Sequence, residues 1–240
     1  MKKIALFFLS ALILIAASCK LDPAIFPEGV TPGTGTTTGE VNNSASGYQP
    51  TTKGSYWNLK PIIRDFPTGQ APVVTVQAQA TTMTGEKKTI NNKVYYVGTT
   101  TLDADKGYTY YYHGNDTYSY RTDLISQDVV IEYVYLKDNY DIGKTWTEKI
   151  TDSGMLNGVK AQIVGQIAEK GITLKVGTTD FKDVIHTKLQ LQYDSGGGFL
   201  TYQDMDYYIA KGVGIIYIST KNNISSNGTS TTSLTDYVIK

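Results

Sequence analysis

Ile185-His186-Thr187-Lys188-Leu189-Gln190-Leu191-Gln192-Tyr193 is the stretch whose reading decides the fold. Ile185, Thr187, Leu189, Leu191 and Tyr193 alternate with His186, Lys188, Gln190 and Gln192. A period of two puts the first set on one side of an extended strand and the second on the other. In a helix the same residues would be scattered around the axis. The pattern recurs outward from there. Val74, Val76, Ala78 and Ala80 alternate with Thr75, Gln77 and Gln79, and Val94-Tyr95-Tyr96-Val97 is a short apolar run. Ile131, Tyr133 and Tyr135 alternate with Val130, Glu132 and Val134 in a segment running from Val129 to Leu136. Tyr108–His113 and Thr117–Arg121 flank the turn cluster Gly114-Asn115-Asp116, which predicts a hairpin.

The remaining punctuation is also that of strands. Gly143-Lys144 leads into a strand carrying Trp146, an expected core residue. Lys170-Gly171 reads as a tight turn between Val159–Glu169 and Ile172–Val176. Ser195-Gly196-Gly197-Gly198 is a loop before a strand from Phe199 toward Ala210, and Gly212-Val213-Gly214 breaks before Ile215–Ser219. Asn222–Thr232 reads as a polar loop and Leu234–Ile239 as a last strand. No segment of ten residues carries a 3.6 period, and only Phe181–His186 has room for a helical turn. The expected fold is all-β and mostly antiparallel: a curved sheet, half-barrel or sandwich with at most one or two short helical turns.

Composition narrows the function. The 240 residues hold 22 basic and 22 acidic side chains. Without Lys2 and Lys3 the balance is 20 against 22, a net charge of −2, so the chain lacks the basic excess that nucleic acid binding requires. Tyrosine is the oddity: 19 residues, against 6 Phe and 2 Trp. Tyr suits strands, where a ring face packs and the hydroxyl reaches water or a partner.

The N-terminus predicts the compartment. Lys2 and Lys3 precede an uncharged, mostly apolar run from Ile4 to Ala17, long enough for a signal-peptide core and short of the roughly 18–20 residues that span a membrane. The run ends in Ala16-Ala17-Ser18-Cys19, and Cys19 is the only cysteine of the chain. This resembles the lipobox of bacterial lipoproteins, with Ala16 where that family favours Leu. The resemblance implies cleavage before Cys19 and its acylation, which leaves no free thiol, and Lys20 in place of Asp implies the outer membrane. Leu21 to Gly47 holds Pro23, Pro27, Pro32 and a Gly/Thr run, with too little apolar surface to order itself. The expected organisation is residues 1–18 as signal peptide, 19–47 as lipidated cysteine and flexible tether, and 48–240 as one β domain.

Three further pieces carry a second resemblance. They are Tyr48-Gln49-Pro50 with Gly54-Ser55-Tyr56-Trp57, then Thr179-Asp180-Phe181-Lys182-Asp183-Val184-Ile185, then Tyr207-Tyr208-Ile209-Ala210-Lys211-Gly212-Val213-Gly214-Ile215-Ile216. Together they resemble a broad group of envelope lipoproteins of the Bacteroidetes type, mostly without assigned function. That resemblance implies a first strand with Trp57 in the core. It also implies that the two later pieces are neighbouring strands of a strongly curved sheet, somewhat like that of periplasmic lipoprotein carriers.

Candidates for chemistry are few. His113, at the hairpin turn, and His186, on the polar side of its strand, are both expected to be solvated. Asp103-x-Asp105-x-Gly107 lacks the later acidic ligand of a calcium loop and reads as an acidic turn. Asp204 and Asp206 share a side of a strand, where such a pair usually makes a wet edge. No Gly-x-Ser-x-Gly elbow occurs. No catalytic, cofactor-binding or metal-binding residue is assigned, and no cofactor is expected. Tyr108, Tyr110 and Tyr112 share a strand face, Tyr111 takes the opposite one, and Tyr118 and Tyr120 lie on the partner strand. Such a row either packs across strands to fix register or stacks on a ligand. These five residues, Tyr108, Tyr110, Tyr112, Tyr118 and Tyr120, are the candidate ligand-facing set. The expected function is a lipid-anchored, non-catalytic binding or scaffolding module. Its partners would be the membrane, through the lipid, and a glycan, peptide or envelope protein. The alternative is a carrier holding a lipid or other apolar ligand in a curved sheet, and a hydrolase ranks last.

Overall fold

The computed structural model describes residues 47–67, 69–122, 124, 130–223 and 228–240. The expected signal peptide, Cys19 and the tether to residue 46 lie outside the described residues. The strands are β1 (Tyr56–Asp65), β2 (Val73–Val76), β3 (Gln79–Ile90), β4 (Lys93–Leu102), β5 (Asp105–Gly114), β6 (Thr117–Thr122) and β7 (Ile131–Lys137), followed by β8 (Thr145–Lys149), β9 (Met155–Leu156), β10 (Val159–Val176), β11 (Thr179–Asp194), β12 (Phe199–Ala210), β13 (Gly214–Asn222) and β14 (Thr229–Val238). The fold is all-β, an antiparallel sheet curled into a half-barrel.

Strand order is β7-β6-β5-β4-β3-β1-β14-β13-β12-β11-β10-β8. Two meanders, β3 to β7 and β10 to β14, are joined through β1. That strand pairs with β14, from Tyr56 opposite Val238 to Arg64 opposite Thr229, and with β3 on its other side. The sheet then curls until its β7 end meets β10 and β11. The contact is fixed by side chains reaching main-chain carbonyls. The Trp146 indole donates to Val134 O at 3.2 Å, and the Thr187 hydroxyl donates to Tyr135 O at 2.8 Å. One core lies in this closure and contains Tyr133, Tyr135, Trp146, Ile163, Ile167, Leu189 and Tyr207. A second gathers Trp57, Met83, Leu174, Phe181, Val184 and Tyr217. Both tryptophans are buried, as the sequence predicts.

Three local readings are corrected. Lys170-Gly171 does not turn the chain. β10 runs through it as one 18-residue strand whose register against β11 shifts between Ile167 and Leu174, and the turn comes at Gly177-Thr178. A glycine at positive φ, here +67°, serves a bulge as well as a turn, so the residue alone does not separate the two. Val74 and Val76 do not continue into Ala78 and Ala80. The chain breaks at Gln77-Ala78, where Asp103 Oδ1 accepts from the Ala78 amide at 2.9 Å, and every residue of β2 is exposed. Thr229–Thr232 belongs to β14, not to a loop.

Candidate functional site

The half-barrel holds a partly open cavity of about 320 Å³, within the ~300–1,000 Å³ typical of small-molecule sites. Its two walls differ because the alternation of each strand delivers different residues to the inside. From β3 to β6 come Thr81, Thr100, Thr109, Tyr111, Tyr120 and Thr122. From β1, β12 and β13 come Trp57, Leu59, Met205, Ile215 and Ile218. The first wall is rich in hydroxyls, and the second mixes aliphatic and indole surface with Gln203, Tyr207, Thr220 and, from β14, Ser230 and Thr232. Among the described residues, none that lines the cavity carries a charge.

The hydroxyls form two groups. Thr100 bridges Thr81 at 3.0 Å and Thr109 at 2.8 Å, and all three are buried. Tyr120 and Tyr207 hydroxyls meet across the cavity at 3.0 Å. Burial pushes the Tyr111 and Tyr207 phenols up to about 12 and raises Tyr120 well above its ordinary value. All three are therefore neutral hydrogen-bonding groups at any physiological pH. Trp57 is fixed at the second wall by its indole N–H, which donates to Val213 O at 2.6 Å.

The five candidate tyrosines do not form one surface. Tyr111 pairs with Tyr120 and His113 with Tyr118, and directly opposed residues share a face. Tyr118 and Tyr120 therefore point with Tyr111 into the half-barrel, while Tyr108, Tyr110 and Tyr112 point outward. Tyr108 is 51% exposed, and Tyr110 and Tyr112 are half-buried. Lys88 lies over the Tyr110 ring at 5.2 Å and Lys93 over Tyr112 at 5.1 Å. Tyr118 is buried against His113 and donates to Asp138 Oδ2 at 3.2 Å. Of the five, Tyr120 alone lines the cavity.

His186 is not solvated, contrary to expectation. It is 3% exposed, its Nδ1 lies 2.9 Å from Glu169 Oε2 and its Nε2 2.7 Å from Asp206 Oδ1, and its ring stacks on Tyr208. β10 and β12 flank β11 and bring one carboxylate to each edge of the ring. The two carboxylates approach opposite nitrogens and do not converge on one point as metal ligands would. His113 is exposed, as expected. Asp103 sits in the two-residue turn between β4 and β5 and ties it to Gln77 and Ala78.

The outer side of β4, β6 and β7 carries a second polar cluster that composition did not point to. Glu132 Oε1 accepts from Lys93, the Tyr95 hydroxyl and Ser119 at 3.2, 2.9 and 2.8 Å. Arg121, itself 4% exposed, donates to Glu132 Oε2 at 3.3 Å and to both oxygens of Asp152 at 2.8 and 2.9 Å. This is a structural clasp, joining the strands to the segment after β8.

No family model matches the chain, and no curated relative matches it. Among solved structures it is similar to a protein from Bacteroides fragilis described as exported, with a YmcC-like fold. The two share 12% identity over 80% of this chain and 99% of that one, with a TM-score of 0.48. It is also similar to a protein from Parabacteroides distasonis described as a lipoprotein, at 12% identity over 81% and 100% of the two chains, TM-score 0.46. A LolA superfamily protein from Nitrosomonas europaea aligns at 10% identity over 81% and 90%, TM-score 0.29.

Proposed function

We propose that this chain is a non-catalytic carrier of the bacterial cell envelope that holds an apolar ligand inside its half-barrel. The observation that supports this reading is the cavity itself: about 320 Å³ of space, aliphatic and indole surface from Trp57, Leu59, Met205, Ile215 and Ile218, and no charged side chain among the described residues that line it. Hydrolysis would call for a nucleophile beside a base, and the described lining residues hold hydroxyls but no histidine, carboxylate or lysine to activate one. The sequence reading adds the setting. Residues 1–18 are a signal peptide, Cys19 carries the lipid, residues up to 47 tether it, and residues 48–240 are the carrier domain. The lipid would hold the chain at the outer membrane, with a tether reaching about 25–30 Å.

A second reading, a surface for a glycan, peptide or envelope protein, is favoured by one observation, the outward row of Tyr108, Tyr110 and Tyr112 with Tyr108 half in solvent. The carrier reading is preferred because an unfilled space inside the half-barrel is a costlier feature to maintain than exposed tyrosine.

The test is extraction. The full chain, purified from its native type of host, is extracted with organic solvent and the released molecules are identified by mass spectrometry. An apolar molecule in stoichiometric yield is expected, and it should be lost in Ile218→Trp, which fills the cavity. Equal yield from that variant places the molecule elsewhere and ends the carrier reading.

A further inference from the structure

Protons can be counted in the two hydroxyl groups of the cavity. Thr81, Thr100 and Thr109, with the Tyr111 hydroxyl bonded to Thr81, carry four hydroxyl protons and make three hydrogen bonds among themselves. Tyr120 and Tyr207 carry two and make one. Each group therefore keeps one donor beyond its internal needs. Both sit on the cavity wall, and buried donors left without an acceptor are costly. The two groups lie close together. Thr109 pairs with Thr122 and Tyr111 with Tyr120, so Thr109 and Tyr120 are diagonal neighbours on one face of the hairpin, with Cα atoms roughly 7–8 Å apart by sheet geometry.

We propose that the ligand is an uncharged apolar molecule presenting two acceptor oxygens, as an ester does, to these two spare hydroxyl donors. The inference rests on the carrier reading and adds the ligand's chemistry to it. An anionic ligand head is disfavoured, because a carboxylate buried here would find, among the described residues, hydroxyls and amides but no cation. A saturated hydrocarbon would cover the aliphatic surface and leave both donors unmet. At about 320 Å³ the cavity lies at the lower end of small-molecule sites, so the part of the ligand held inside is small.

The experiment uses the full chain loaded with Nile red, a neutral apolar dye, and displaces it with three probes of equal chain length: a fatty-acid methyl ester, the free acid, and the alkane. At about pH 8, where the acid is ionised, the ester is expected to compete at least ~ten-fold better than the acid. It should compete at least ~five-fold better than the alkane, the worth of one net hydrogen bond or more. In Tyr120→Phe/Tyr207→Phe the ester's advantage over the alkane should shrink by about five-fold while the alkane is unchanged. Removing both members of the pair leaves no orphaned partner, and circular dichroism checks that the variant folds. Thr81→Val/Thr100→Val/Thr109→Val tests the other donor in the same way.

An acid that competes as well as the ester overturns the proposal. So does an ester advantage that survives both sets of substitutions, which would mean that the hydroxyls serve trapped water only. These failures leave the carrier reading standing. Absence of any dye binding, with no displacement by any probe, removes the carrier reading itself.

Discussion

The two sides of the β5–β6 hairpin are built from the same amino acid and behave as different materials. On the outside, Tyr108, Tyr110 and Tyr112 lie along one strand, Tyr108 in solvent and the other two beneath lysines. On the inside, Tyr111 and Tyr120 stack toward Tyr133, Tyr135 and Tyr207, with ring centres between 5.4 and 6.4 Å apart. Residue type therefore does not decide what a tyrosine does here. The side of the pleat decides, and the side is fixed by the hairpin register. Asn115 and Asp116 both have positive φ, +51° and +58°, and make a two-residue turn. Had Gly114 been a third turn residue, Tyr110 would oppose Tyr120 and Tyr112 would oppose Tyr118. All five candidate tyrosines would then share one face.

Alkaline pH should break this contrast most completely. Burial raises Tyr111, Tyr118 and Tyr207 to about 12, and Tyr120, Tyr133 and Tyr135 are also raised. In the unfolded chain each ionises near 10. The folded state therefore holds these protons more tightly, and its stabilisation is complete below pH 10 and lost as pH rises through about 12. Phenolate absorbance from the inner tyrosines should appear together with loss of the far-ultraviolet β signal. Their gradual ionisation with the fold intact would show that water reaches them freely.

Single truncations come next. Tyr135 is fully buried between Tyr118, Tyr120 and Tyr207, with its hydroxyl donating to Gln49 at 3.2 Å. Tyr135→Ala should cost about 3–5 kcal/mol in urea unfolding. Tyr108→Ala should stay within about 0.5 kcal/mol. Equal costs would erase the distinction between the two sides.

Arg121→Met probes the outer side where it is not merely surface. The substitution leaves Glu132 with Lys93, Tyr95 and Ser119 but removes its buried cation. Breaking a buried pair from one side costs about 3–5 kcal/mol. Asp152 is half in water and Glu132 keeps three donors, so a loss nearer 2–3 kcal/mol is expected, read as a lower urea midpoint at constant slope. A loss under about 0.5 kcal/mol would make the clasp an ordinary surface ion pair.

Much of this was legible before any coordinates, and what was not has an identifiable cause. Alternation from Ile185 to Tyr193 predicted a strand with one dry side, and Trp57 and Trp146 are core residues as read. The cavity was not legible. A strand's pattern says which side is inside, but not whether the opposite wall comes close enough to fill the space. Thr81, Thr100 and Thr109 looked like generic strand threonines because their contacts join three different strands. His186 misled for a related reason. It lies on the polar side of its strand, but the carboxylates that bury it come from Glu169 on β10 and Asp206 on β12. The outer cluster was hidden in the same way, since Arg121, Glu132 and Asp152 are far apart in the pattern and meet only when β6, β7 and the β8 end assemble.

The smallest expected effect sharpens the comparison without touching either side. Asn-Asp tolerates the left-handed conformation that both turn positions need, yet Asn-Gly is the better pair for this turn. Asp116→Gly removes a side chain held at φ +58° and so relieves backbone strain. Against that, glycine makes the unfolded chain more flexible, and the exposed hydrogen bond from Asn139 Nδ2 to Asp116 Oδ2, at 3.0 Å, is lost. The balance should favour the variant by about 0.5 kcal/mol, measured as a raised urea midpoint with dye binding unchanged. Stabilisation without a change in the cavity is what a turn that only sets register would give. If dye binding shifted as well, the turn would be acting on the inner wall directly, and the two sides of the hairpin would not be as independent as their burial suggests.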